Sequence, residues 1–188
     1  MLRPAVGLAR RSARASFALR RPMSMAAPAQ LQQYRSNAED KLLSHLARVA
    51  AATQAEGKLE QSGELYAHLV NARRERHGDR HPLTVHAIGA LSLVHKELGD
   101  FSSAEGLARE AVSASEDTLG KMHPESLRML SNLASVLTGG GKLDEAEATA
   151  RVVVDGYRSV FGDGHEEVVS AESHLGEVLD AQGKMAAA

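Results

Sequence analysis

The apolar residues of this chain recur at steps of three and four, and they do so in blocks. Between residues 127 and 137 they are Leu127, Leu130, Leu133, Ala134 and Leu137, one stripe of a helix. Gly139, Gly140 and Gly141 interrupt the run, and Leu143, Ala146, Ala150, Val153, Tyr157 and Val160 form a second stripe that Gly162 ends. The pattern predicts two helices joined by a tight turn. Glycine past a helix end takes a left-handed conformation that costs other residues on the order of 1 kcal/mol, so it serves as a stop.

The block is a repeat. "GDRHPLT" begins at Gly78, "GKMHPES" at Gly120 and "GDGHEEV" at Gly162, two equal steps of 42 residues. Gly57, Gly99, Gly141 and Gly183 keep the same step, and so do the apolar columns Leu43/Val85/Leu127/Val169, Val49/Leu91/Leu133/Leu175 and Leu59/Phe101/Leu143/Met185. A further column, Leu46/Ile88/Leu130, is broken by Glu172. One hairpin of this size cannot bury its own stripe, so successive hairpins must stack into a solenoid with a continuous core. The small column Ser62/Ala104/Ala146/Ala188 lets facing helices approach closely; large residues there would push the stack apart.

These residues resemble the tetratricopeptide repeat, in its long form found in kinesin light chains and related proteins. "LGKMHPESLRMLSNLASVLTGGGKLDEAEATARVVV" carries the likeness: a Leu-Gly turn, His-Pro, Asn-Leu-Ala, Gly-Lys and Asp-Glu-Ala-Glu. The resemblance runs from about residue 36 to 188 and implies an all-α, right-handed α-solenoid of three full hairpins plus a half. The division read from it is a transit segment at 1–29, repeats at 36–78, 79–120 and 121–162, and a partial repeat or capping helix at 163–188. The first unit lacks His-Pro, and "SNAE" from Ser36 to Glu39 has the form of a capping box opening its first helix. Glu166, Glu167, Glu172, Glu177 and Asp180, on a helix expected from about Glu166 to Ala181, would solvate an outer face. The alternative is that the chain is a fragment of a longer array.

Composition narrows the chemistry. The chain is 43% hydrophobic but only 3% aromatic, so its core is built from Ala, Leu and Val, which favours helix. With no cysteine, disulfides, iron-sulfur clusters, Cys-ligated zinc and thiol nucleophiles are excluded. No stretch reaches the roughly 18 consecutive apolar residues of a membrane span. Residues 1–29 hold Arg3, Arg10, Arg11, Arg14, Arg20 and Arg21 and no acid, whereas the remainder carries a clear acidic excess with no electrostatic reason to seek nucleic acid. An Arg-, Ser- and Ala-rich segment without acids or a long apolar run reads as a mitochondrial transit peptide, with Arg21-Pro22-Met23-Ser24 a cleavage-like pattern. A plastid address, or a cytoplasmic protein with a basic tail, is the alternative.

Nine histidines raise the question of a metal. His81, His123 and His165 share one repeat column, but helices stacked about 8–10 Å apart cannot bring them to an ion that holds nitrogens at about 2 Å. "HEEVVSAESH" has Val169 where a zinc-protease helix needs its second histidine, and "TGGGKLD" lacks the Ser or Thr of a phosphate loop. His123 reads as a repeat-junction residue, with Pro124 at the first helical position. His95, in an otherwise mostly apolar column, reads as partly buried and hydrogen-bonded. Nothing sets a nucleophile, base and orienting acid at a defined spacing, so the chain reads as non-catalytic, with no cofactor and no metal.

Binding is what remains. The family resemblance implies that the first helix of each hairpin lines a concave surface. Between the core columns of those helices lie Ser44, Arg48 and Gln54, then His86 and Lys96, then Arg128, Asn132 and Ser135, then Ser173, His174 and Glu177. Arg48, His86, Lys96, Arg128, Asn132 and His174 are the candidate partner-binding residues. Their basic and polar groups suit an extended peptide carrying acidic side chains or a carboxylate. The expected function is a protein-interaction adaptor in mitochondria, an assembly or quality-control factor; the alternative is a structural module that self-associates through its fourth repeat.

Overall fold

A computed structural model describes residues 28–183. The helices are α1 (Pro28–Ala55), α2 (Leu59–His77), α3 (Pro82–Glu97), α4 (Phe101–Leu119), α5 (Pro124–Gly139), α6 (Leu143–Phe161) and α7 (Glu166–Ala181), with no strand among the described residues. The chain divides into a unit Met1–Ala38 and a unit Glu39–Ala188. In the first, the described residues form the opening turns of α1. All that follows concerns the second, an all-α array of repeat hairpins.

The glycine columns do what the pattern predicts. Gly78, Gly120 and Gly162 cap α2, α4 and α6 at φ of 86°, 89° and 83°, and a Cβ at any of them would meet no neighbour within 4 Å. These glycines are therefore required by backbone conformation, not by crowding.

Burial follows the columns in the middle of the stack. Val85, Leu91, Leu127 and Leu133 are buried, and Ser62, Ala104 and Ala146 are each fully enclosed. The Ser62 hydroxyl donates to the Ala50 carbonyl at 2.9 Å, which satisfies the one polar group in that column.

The columns fail at the two ends. Val49 is 39% exposed and Val169 is 52% exposed, although their repeat equivalents are core. Each middle helix is covered on both sides, whereas α1 and α7 are first and last among the described helices and keep one face open. The five acids of α7 are exposed as expected. Helix α1 also corrects the sequence reading. It opens at Pro28, so Ser36 to Glu39 lie inside it and cap nothing. Proline suits a first helical position and Ala29 to Gln33 are rich in helix formers, which extends the helix upstream of the capping-box pattern.

Candidate functional site

The first helices of the hairpins pack on one another, α3 against α5 and α5 against α7, while the second helices splay apart. The side formed by the first helices is therefore the tighter, concave one. Along it, the Lys96 ammonium donates to the Ser135 hydroxyl at 2.8 Å, joining α3 to α5. Gln54 donates to a Glu97 carboxylate oxygen at 2.8 Å, joining α1 to α3.

His174, on α7, lies within electrostatic reach of Lys96. Desolvation holds its pKa below the usual histidine value; Glu177 opposes this, and the Lys96 charge adds to it. Towards the other end of the same helices, desolvation and then the Arg128 charge hold His86 low. Arg128 itself is bound to Glu125 of its own helix at 2.5 Å. Asn132 is half-buried against α3, its amide nitrogen 3.3 Å from where a Cβ on Gly89 would stand.

The structure thus brings five of the six candidate residues onto α3, α5 and α7, in two groups: Lys96 with His174, and His86 with Arg128, Asn132 packing between helices. Arg48 stands apart, its guanidinium 3.4 Å from His45 on its own helix. Lys96 has no carboxylate within ion-pair distance among the described residues, which distinguishes it from Arg128.

The junction histidines have a role that the sequence reading left unspecified. Each sits at an N-cap with extended backbone, and each accepts a backbone N–H through Nδ1: His81 from Leu83, His123 from Glu125 and His165 from Glu167. Histidine here replaces the usual Ser, Thr, Asp or Asn of an N-cap. The signal was present, because His-Pro puts the histidine one place before a proline at the helix start. His95 is half-buried and its Nδ1 lies 3.2 Å from the Asp100 carboxylate, as expected. Among the described residues no three His, Asp or Glu side chains converge as metal ligands would.

A cap that accepts through Nδ1 requires a neutral ring, and this gives a pH dependence. Desolvation first, then the charges of His77 and Arg73, lower the pKa of His81, and His86 and His174 are lowered as well. Their unfolded values are about 6.5. The unfolded chain therefore binds protons first, so stability is complete above about pH 6.5 and is lost as pH falls through the folded values. His81→Ala is expected to cost about 0.5–2 kcal/mol at pH 7.5. His81→Asn should keep the cap and shrink the fall in Tm between pH 7.5 and 5, read by circular dichroism. An undiminished fall in the Asn variant would refute the assignment.

Comparison with known proteins agrees with this architecture. Two tetratricopeptide repeat models match, over residues 41–117 and 126–167. BtubC (BKLC) from P. vanneervenii superposes with a TM-score of 0.69 at 17% identity, over 78% of this chain and 59% of that one. A Podosopora anserina protein described as a kinesin light chain with nearly identical TPR-like repeats superposes at 0.63, and a point variant of it at 0.66. Both are 22% identical over 76% of this chain and 67% of theirs. Identities this low speak for the fold alone, and the chain spans 59% of the length of BtubC. No curated protein sequence matches it.

Proposed function

The chain belongs to the tetratricopeptide repeat family, of the kinesin light chain-like type, and from that premise we propose that it is a non-catalytic adaptor holding an acidic, extended protein segment on its concave face. Repeats of this family serve as protein-interaction scaffolds. The observation that carries the finer reading is Lys96, whose ammonium reaches across two helices to a neutral hydroxyl and meets no carboxylate of its own chain among the described residues. A carboxylate from a bound segment would complete it with a charge-assisted bond. His174 and Ser135 beside it offer further donors, and His86 and Arg128 extend the same face. The arginine-rich, acid-free stretch at residues 1–29 supports a mitochondrial setting, in which such a groove would hold an unassembled subunit.

The test uses a short fluorescent peptide rich in Asp and Glu. Lys96→Glu is expected to weaken its binding by about tenfold or more, since a lost charge-assisted contact becomes a repulsion. Lys58→Glu, at an exposed turn, should leave binding unchanged. Equal affinity in the Lys96 variant and the parent would overturn the reading.

A further inference from the structure

The second helices splay apart, and ion pairs cross the gap between α2 and α4. Arg74 binds Glu110 across it and Asp79 beside it, and Arg80 binds Asp117. One repeat later every one of these positions has changed. Arg74 becomes Glu116, Asp79 becomes Lys121, Arg80 becomes Met122 and Glu110 becomes Val152. The bridge is gone. In its place lies an open cavity of about 350 Å³ between α4 and α6, floored by Leu127 and Leu130. Met122 is 60% exposed and Val152 51% exposed at its walls. Glu116 and Lys121 stand on its rim, and neither has an ion-pair partner among the described residues. Nearby charges are already matched: Arg109 binds Glu105 and Glu145, and Lys142 binds Glu105.

We propose that this outer cavity is a second docking site, independent of the concave face, for a partner helix that inserts one large aliphatic side chain between a basic and an acidic residue. The aliphatic group would cover Met122 and Val152, whose exposure at a repeat interface has no counterpart between α2 and α4. The base would meet Glu116, supplying from outside the cation that Arg74 supplies in the neighbouring gap. The acid would meet Lys121. Charge on both rims fixes the direction in which the helix lies.

The probe is an alanine-based helical peptide carrying Arg, Leu and Glu at successive four-residue steps, titrated into the full chain and followed through methyl resonances. Shifts are expected at Leu127, Leu130, Met122 and Val152. Glu116→Arg with Val152→Glu rebuilds the neighbouring bridge and closes the cavity, and should weaken binding by about tenfold. Exchanging the rim charges, Glu116→Lys with Lys121→Glu, should make the chain prefer the reversed peptide; this keeps the proposal testable even if the closed variant folds poorly. Shifts confined to the concave face, no shifts at all, or no change of peptide preference in the exchanged variant would overturn it.

Discussion

Leu127→Ala is expected to lower stability by about 2–5 kcal/mol, and Gly156→Ala in the same chain to recover part of that loss. Leu127 is 1% exposed and packs with Val153, Val154, Tyr157 and Val168, so truncating it opens a cavity where α5, α6 and α7 meet. Its methyls are seated against the bare backbone of Gly156. A Cβ there would lie 2.5 Å from Leu127 Cδ2 and 3.0 Å from Cδ1. Gly156→Ala alone therefore overpacks the site, at about 1–3 kcal/mol, against which the helix gains at most about 1 kcal/mol from losing a glycine. In the Leu127→Ala background the clash is gone and the added methyl fills vacated space. The two changes should couple by about 0.5–3 kcal/mol, measured by urea unfolding of the four proteins. Strictly additive losses would show that the two residues do not press on each other.

This pair also shows where the sequence was sufficient and where it was not. The column holding Leu127 was legible because a repeat samples the same environment several times, and chance does not keep apolar residues in register at a long period. The expected helix at Glu166 to Ala181 was found at those residues for the same reason. Gly156 carried no such signal. It lies within a helical stripe, and only the packed structure shows that a side chain from the preceding helix occupies its Cβ position. Columns also say nothing about ends: Val169 has a core residue's identity, but no described helix lies over it. The start of α1 was misplaced because Ser36 to Glu39 satisfy the capping pattern locally, while the residues upstream continue the helix.

The candidate site was legible only in outline. Helical spacing placed Lys96, Arg128 and His174 on one side of the stack, since residues three and four apart share a face. It did not reveal that Arg128 is already bound by Glu125 whereas Lys96 is joined only to a hydroxyl, and that difference decides which cation is open to a ligand. The outer cavity was legible in principle. It needs the repeats to be compared for what they lose, here a crossing pair of charges, instead of for what they share.

Ala146→Leu should cost about 1–3 kcal/mol, whereas Ala146→Ser should be nearly tolerated. Ala146 is fully enclosed, in a cluster with Leu133, Val136, Leu137 and Val178, where α6 lies against α5 and α7. Leucine adds three carbons to a space that holds one methyl, and the array can admit them only by separating helices that must stay in contact for the next hairpin to stack. Serine adds a single oxygen, whose burial would cost about 1–3 kcal/mol if it had no partner. The first repeat shows what partner it would find. Ser62 occupies the same column and donates to the carbonyl of Ala50, twelve residues before it. The equivalent acceptor for a serine at 146 is the carbonyl of Ala134. The measurement is the urea midpoint of both variants against the parent. If the serine variant loses as much as the leucine variant, the hairpins are not interchangeable at this contact, and the close approach inferred for the whole column holds only where alanine supplies it.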